Sequence, residues 1–262
     1  MRRFSRAGFL WWAVAASAMF SGQLAVADIV IPAGAQWRVG DGAVKAGGAD
    51  LRVAGQMQVQ TGDVLGLRHL DVQPGGSVDN GSGVIQLAGD WRNAGNFTGA
   101  SGGVQFVDGL GLTTAQVTGS SAFFDVSFLS SIGKRYVFVV GSVQSVAGLL
   151  GISGVTGAPI QFASSTAGQF ASIDLLPSGT QNIAHIGVSD VHAVGQALAP
   201  TLINEGGTGN DNGWFGGGGP TIPPTPAPTL SPLSMMLLIA LLAMLVRRRF
   251  STQPSPVQGD RR

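Results

Sequence analysis

The sequence predicts an all-β protein whose body is a right-handed parallel β-solenoid. The chain has 262 residues, of which 41 are glycine. Gly, Asn, Asp and Ser recur between short apolar runs, a pattern typical of strands separated by tight turns. Expected strand starts near Leu51, Leu67, Val84 and Val104 lie 16, 17 and 20 residues apart. Such a loose period indicates coils stacked on one another. A β-sandwich is the alternative architecture for the same turn-rich pattern.

Residues 1–27 have the pattern of a secretory signal peptide. Three arginines within the first six residues precede the apolar run 9–20, and Ala25 and Ala27 then form an A-x-A cleavage box. A basic region, an apolar region and small residues in that order direct export. Cleavage leaves Asp28 as the new N-terminus. The alternative is an uncleaved N-terminal anchor.

Residues 28–215 form the predicted solenoid body. The run from Tyr136 to Val140 is continuously apolar, which predicts a strand buried on both faces. Lys134 and Arg135 precede this run, where charged residues commonly protect an apolar strand from aggregation. We therefore expect both side chains to face solvent.

The charge of the body argues against nucleic acid as a partner. Residues 28–232 contain seven Lys and Arg against thirteen Asp and Glu, a net charge of −6. Phosphate binding requires clustered basic residues, which this body lacks. The chain also has no cysteine, so disulfides and thiolate metal sites are excluded.

The C-terminal part divides into three predicted segments. Residues 216–232 are a Gly- and Pro-rich linker, residues 233–249 a transmembrane helix with an arginine cluster, and residues 250–262 a disordered cytoplasmic tail. The fourteen residues 233–246 carry no charge, and as a helix they extend about 21 Å against a hydrocarbon core of about 30 Å. Starting the helix near Thr229, with the arginines reaching the headgroups, closes most of that gap.

The arginine cluster determines the predicted orientation. Arg247, Arg248 and Arg249 follow the apolar segment directly, and clustered basic residues remain on the cytoplasmic side of a membrane. The body then lies outside the inner membrane. Two alternatives remain open at this point: a C-terminal core helix instead of a span, and a permanent anchor instead of a tail that a membrane protease removes.

The same segment resembles a known sorting signal. Pro228, Thr229, Leu230 and Ser231 form a short box, with Ala227 before it, ahead of the Leu/Met/Ala-rich helix and the arginine cluster. This arrangement resembles the IPTL-CTERM signal, which is similar to the wider PEP-CTERM class of exported proteins in Gram-negative bacteria. The resemblance implies cleavage near the box by a sorting protease of the exosortase type.

A second resemblance concerns residues 50–215. The segment 89–109 begins Gly-Asp-Trp and continues through an Asn-Ala-Gly-Asn turn, and the segment 120–128 follows it. Both resemble the glycine-rich units of bacterial surface β-helix proteins. The segments 183–200 and 204–215 resemble the closing coils of those proteins. The resemblance implies a β-helix-like body.

Few residues are available for catalysis, and we expect no catalytic residue, metal or cofactor. His185 and His192 are seven residues apart, with Asp190 between them, and they are the candidates for a metal or acid/base pair. Polar residues on solenoid turns are the competing interpretation, which also applies to the third histidine, His69. A further candidate is an aligned column of carboxylates made by Asp71, Asp90 and Asp108.

The segment 206–214 resembles a calcium-binding nonapeptide turn. It reads Gly-Gly-Thr-Gly-Asn-Asp-Asn-Gly-Trp, and Gly213 occupies the position where a large apolar residue is needed. Asp211 would be the carboxylate ligand. Such sites occur as tandem copies and this chain has one, so a structural turn is the favoured interpretation.

Together these patterns predict an exported cell-envelope or extracellular-matrix structural or interaction protein. It would be tethered to the inner membrane with its body in the periplasm, then at the cell surface or outside the cell. The expected partners are the inner membrane, the sorting protease and surface polysaccharide. The alternatives are a secreted polysaccharide-active β-helix enzyme and a carbohydrate-binding adhesin that uses Trp37, Trp91 or Trp214 as stacking platforms. Trp91 and Trp214 adjoin turns, where packing is the more common role.

Overall fold

A computed structural model describes residues 27–216, which form three sheets of parallel strands. The chain contributes one strand to each sheet in turn and then repeats the cycle for about eight coils. Sheet A contains β1 Ile29–Ile31, β4 Leu51–Val53, β7 Leu70–Val72, β10 Trp91–Asn93, β13 Thr114–Thr118, β16 Arg135–Phe138, β19 Ile160–Ser164 and β22 Ile186–Ser189.

Sheets B and C complete each coil. Sheet B contains β2 Gln36–Arg38, β5 Gln56–Gln58, β8 Ser77–Asp79, β11 Asn96–Thr98, β14 Ser121–Phe123, β17 Val143–Val146, β20 Ala171–Leu175 and β23 Val191–Gly195. Sheet C contains β3 Ala43–Lys45, β6 Asp63–Leu67, β9 Val84–Leu87, β12 Gly103–Phe106, β15 Asp125–Leu129, β18 Leu149–Ser153 and β21 Thr180–Ala184.

The pairing confirms the predicted parallel β-solenoid and excludes the β-sandwich. Every pair of neighbouring strands in the described residues joins two successive coils, as where Leu51 pairs with Leu70 and Leu70 with Trp91. Paired residues are 19 to 31 positions apart, because the loops at the corners differ in length. A sandwich would instead require antiparallel strands in two facing sheets.

Two local predictions were wrong. Leu67 ends β6 instead of beginning a strand, because each coil holds three short strands and the apparent period mixed sheets A and C. The run from Tyr136 to Val140 is not buried on both faces. Tyr136 and Phe138 are fully buried while Val137 between them is only partly buried, because each sheet turns only one face toward the interior. β16 ends at Phe138, and Val140 lies in the following turn, 36% exposed.

The interior is one continuous core of inward-facing side chains stacked coil upon coil. Ile85, Val104, Val126 and Leu150 occupy equivalent positions in four successive strands of sheet C. Aromatic rings concentrate in the middle coils, where Phe106 and Phe128 stack with centroids 4.7 Å apart and Tyr136 meets Phe128 edge-on. This burial stabilises a fold that has no disulfide.

The two ends of the solenoid differ. At the N-terminal end, β1, β2 and β3 are the edge strands of their three sheets. At the C-terminal end, residues 196–216 fold over the last coil, with isolated parallel bridges between Ser189 and Gly209 and between Leu198 and Trp214. Trp214 belongs to this closing segment, and its side chain is buried against the core. Within residues 27–216, no helix is long and apolar enough to cross a membrane.

Candidate functional site

A buried lysine lies at the corner between sheets C and A. Lys134 is fully buried, and its Nζ donates hydrogen bonds to the carbonyl oxygens of Ala88 and, at 3.0 Å, of Val107. The same Nζ lies 5.7 Å from the centre of the Tyr136 ring. The prediction that the Lys134 side chain faces solvent was therefore wrong. The side chain instead bridges carbonyls of two earlier coils, while Arg135 is exposed as predicted.

Burial controls the ionisation of this corner. Desolvation lowers the pKa of Lys134, although the carboxylates of Asp108 and Asp90 partly oppose this change. Desolvation also raises the pKa of Tyr136 well above its ordinary value, and the nearby charge of Asp108 adds to the increase. For Asp108, burial raises the pKa, but hydrogen bonds from Ser131 and Ser130 outweigh it, so the net pKa is lowered.

Several aspartates at strand ends bind backbone N–H groups of the next coil. Asp63 Oδ1 accepts a 3.0 Å hydrogen bond from Val84 N, and Asp125 Oδ1 accepts one of 2.6 Å from Leu149 N. Asp90 Oδ1 likewise binds Gln116 N at 2.8 Å. The fourth example is Asp108, whose Oδ2 binds Ser131 N at 2.7 Å. We call these four residues the corner aspartates. Their carboxylates replace ladder hydrogen bonds where the chain leaves one sheet for another.

The predicted column of Asp71, Asp90 and Asp108 does not form. Asp71 is within β7, opposite Arg92 in the next coil. Asp90 precedes β10 and lies beside His69, to whose Nδ1 its backbone N–H donates at 2.7 Å. Asp108 follows β12 in sheet C. The three carboxylates therefore occupy different rows, because corner loops of unequal length change the register between coils.

The three histidines have separate surroundings. His69 accepts the Asp90 N–H at Nδ1, as described above, and its Nε2 accepts a 3.0 Å hydrogen bond from Arg68 Nε. His185 Nδ1 is 3.2 Å from both carboxylate oxygens of Glu205. His192 stacks on Phe170, with ring centroids 4.1 Å apart. The predicted pair of His185 and His192 is therefore not one site, and no three His, Asp or Glu side chains in residues 27–216 are grouped to hold a metal ion.

The segment that resembles a calcium turn serves as a structural closure. Asp211 Oδ2 accepts a 2.6 Å hydrogen bond from the Asn204 amide, and the carbonyl oxygen of Asp211 accepts one from Trp214 N. Gly213 has a φ of +84°, which a side chain would strain. This conformation turns Trp214 into the core. The structural-turn interpretation fits these contacts.

Two of the three tryptophans predicted as stacking platforms are inaccessible. Trp91 is fully buried, and its Nε1 donates a 3.0 Å hydrogen bond to Ser121 Oγ. Trp214 is 1% exposed. Trp37 in β2 remains partly exposed at the N-terminal end. Trp91 and Trp214 are therefore packing residues, as their positions beside turns indicated, and cannot serve as stacking platforms.

A groove of about 450 Å³, lined by both polar and apolar residues, runs along the outer face of sheet A near its C-terminal end. It combines residues of β16, β19 and β22 with residues of the closing segment, among them Arg135, Gln161, Ser164, Ser189, Asp190 and Thr208. We call it the sheet A groove. The Asn210 amide, followed by the Gly168 N–H, lowers the pKa of Asp190 at its margin. Sequence reasoning missed these residues as a group because three coils and a loop contribute them.

The predicted processing residues fall mostly outside the described part of the chain. Ala27 and Asp28 are exposed immediately before β1. The other predicted processing residues lie outside residues 27–216: Ala25, Pro228, Thr229, Leu230, Ser231, Arg247, Arg248 and Arg249. Comparison with protein-family models, with curated proteins and with solved structures found no match.

Proposed function

We propose that this chain is an exported structural or interaction protein of the cell envelope or extracellular matrix. A signal peptide over residues 1–27 directs export, and the apolar segment 233–249 tethers the precursor to the inner membrane with its body in the periplasm. The body then reaches the cell surface or the extracellular space. The acidic charge of residues 28–232 supports a partner other than nucleic acid.

The proposal of a structural role rests on the corner aspartates, because their carboxylates already accept hydrogen bonds from the backbone. In a catalytic site, carboxylates must be free to exchange protons with a substrate. Here Asp63, Asp90, Asp108 and Asp125 accept hydrogen bonds from backbone N–H groups in the next coil. The use of these carboxylates to join neighbouring coils supports a structural role in assembly or spacing. We therefore propose no enzymatic activity and no cofactor.

The finer features of the proposal concern winding and processing. We propose a right-handed solenoid, because parallel crossover connections strongly prefer that hand. The box Pro228 to Ser231 is the proposed recognition site of an exosortase-type protease, and Arg247 to Arg249 hold the tail on the cytoplasmic side. The released body would attach to surface polysaccharide. A permanent anchor is the alternative for the same segment.

Intact-mass analysis of the protein from its native host tests the proposal. The expected mature form begins at Asp28 and ends upstream of Leu233. A form that begins at Asp28 and retains Arg262 would show that the tail is not cleaved and is a permanent anchor. A full-length chain recovered from the cytosol, with Met1 to Ala27 attached, would overturn export altogether. Deleting the sorting protease should leave the tail in place without altering the new N-terminus.

The sheet A groove favours a second candidate, a carbohydrate-binding adhesin. Arg135 is exposed at the groove, and its guanidinium group makes no hydrogen bond or ion pair with another described residue. Guanidinium groups bind carboxylates in bidentate fashion, so an acidic polysaccharide is the ligand class that fits. Serine and threonine hydroxyls along the groove would bind sugar hydroxyls.

A binding measurement with uronic-acid oligosaccharides tests the adhesin candidate. Arg135→Ala should weaken binding at least tenfold, because it removes the one cation of the described groove. The matched control is Arg52→Ala, which removes an exposed arginine from the same sheet far from the groove. Equal affinities for the two variants would exclude the groove as the binding site.

A further inference from the structure

The N-terminal end of the solenoid presents three open strand edges. β1, β2 and β3 each have one neighbour, so their outward N–H and C=O groups have no ladder partner within residues 27–216. Each strand is three residues long. In the part of the chain that the structure describes, none of the three edges carries the bulge or covering loop that protects many edge strands. These edges can therefore accept further strands.

Apolar side chains of the first coil are incompletely covered at this end. Ile29, Ala35, Trp37, Val39 and Ala46 pack against the core but remain partly exposed. In the middle coils, equivalent inward side chains are fully buried because a coil lies on either side. The first coil thus lacks one of the two layers that every inner coil has.

The opposite end of the solenoid is closed by its own chain. Residues 196–216 cross the last coil, and the backbone N–H of Ala193 bonds to the carbonyl of Asn212 there. Gln181 at the edge of sheet C binds Ala197 O and Ala199 N through its side-chain amide. A head-to-tail stack of two copies would have to displace this closure, whereas a stack through the two N-terminal ends would not.

We propose that two copies of this chain associate through their first coils around a two-fold axis. The inference rests on the proposed removal of residues 1–27, which places the mature N-terminus one residue before β1. A two-fold arrangement is self-complementary, because each copy offers the same surface to the other. It satisfies the open edges and covers the exposed apolar side chains in one step.

The alternation of inward and outward residues determines the register of this interface. In the proposed dimer the two-fold axis crosses β1, so that β1 pairs with the partner's β1 in antiparallel orientation and Val30 lies opposite the partner's Val30. β2 then pairs with the partner's β3, and Trp37 lies opposite the partner's Val44, which also faces inward. A slip of one residue would turn apolar side chains outward, so this register is the favoured one.

The charges of the first coil complement each other in this register. Arg38 lies opposite the partner's Ala43, so it approaches the partner's Asp41 in the preceding turn. Arg38 and Asp41 are both exposed, and neither makes a hydrogen bond or ion pair with another described side chain. The two-fold axis repeats the pair, which gives two ion pairs at one interface.

Single-cysteine cross-linking of the full-length protein, purified from its native host, tests the proposal. The chain has no cysteine, so Val30→Cys introduces the sole thiol, at a position that is 58% exposed. Mild oxidation should convert most of this variant into a disulfide-linked dimer. The matched control is Ile203→Cys at the closed end, 74% exposed, which should remain a monomer. Intact mass of the same samples reports whether residues 1–27 have been removed.

A charge reversal makes the test independent of the thiol. Arg38→Asp should weaken dimerisation at least tenfold in light scattering, and the double variant with Asp41→Arg should restore it. Two results would overturn the interface and leave the proposed function standing. The first is an unaltered chain that begins at Asp28 and is monomeric at about 100 μM. The second is a mixture of the two cysteine variants in which Val30→Cys cross-links only to Ile203→Cys. Retention of residues 1–27 together with no dimer would overturn both.

Discussion

The ammonium group of Lys134 lies 3.0 Å from the carbonyl oxygen of Val107 and also donates to the carbonyl of Ala88. Ala88 follows β9 and Val107 follows β12, so one side chain holds two successive rungs of sheet C to the start of β16. A charge buried away from water must be compensated by such bonds. This corner is therefore a stabilising centre of the middle coils.

Lys134→Ala should lower the free energy of unfolding by about 3 kcal/mol, because it leaves the buried Ala88 carbonyl and the partly buried Val107 carbonyl without a charged donor. The matched control is Lys45→Ala on an exposed position of β3, which should change stability by less than about 0.5 kcal/mol. Urea denaturation measures both. A result of equal size for the two variants would show that the buried hydrogen bonds contribute nothing net.

The corner aspartates should contribute to stability individually. Asp125→Ala removes the acceptor for Leu149 N, and we expect a loss of about 1–2 kcal/mol. Asp71→Ala is the control, because the Asp71 carboxylate accepts no hydrogen bond from a described residue and should cost under about 0.5 kcal/mol. Asp125→Asn, which keeps an acceptor oxygen, should recover part of the loss. Thermal unfolding of the three variants ranks them.

Stability should fall in acid, and Asp108 should account for part of the decrease. Its pKa is below the ordinary value of 3.8, so the folded state binds fewer protons than the unfolded state. The stabilisation is complete above pH 3.8 and disappears as the pH falls through the lowered value. Asp108→Asn keeps an acceptor for Ser131 but cannot ionise, so its unfolding free energy should decline less steeply between pH 5 and pH 2. Parallel curves for the two proteins would contradict this assignment.

The close stacking of coils should make Gly83 irreplaceable. A Cβ atom added at this residue would lie 1.7 Å from the carbonyl oxygen of Gly62 in the coil below. Gly83→Ala should therefore cost about 3 kcal/mol, because backbone must move to admit it. Gly42→Ala meets no atom within 4 Å and should be neutral or slightly stabilising. Chemical denaturation of both variants checks the contrast.

Turn residues and alternation made the solenoid predictable. The Pro74-Gly75-Gly76 turn falls between β7 and β8, and the segment 120–128, which resembles part of a β-helix unit, covers β14 and most of β15. The strand starts were less predictable. Three strands per coil and corner loops of different length blur any single period, so Leu67 was assigned to a strand start instead of a strand end.

The candidate sites depended on contacts between coils, which sequence reasoning could not locate. Asp90 and Asp108 looked alike in sequence because each follows an apolar run, yet unequal coil lengths place them in different rows. The sheet A groove likewise joins Arg135 to Thr208, which lie in distant parts of the sequence. No local signal connects such residues.

The sequence by itself determined the all-β class, the coil-like repetition and the acidic body, because glycine-rich turns, alternating apolar residues and charge counts are local properties. Only the tertiary structure decided that Lys134 is buried, that Trp91 and Trp214 point inward, and that the two ends of the solenoid differ. Those outcomes depend on register. A change of one residue in a corner loop moves a side chain from solvent to core, and only the packing of neighbouring coils settles which of the two it is.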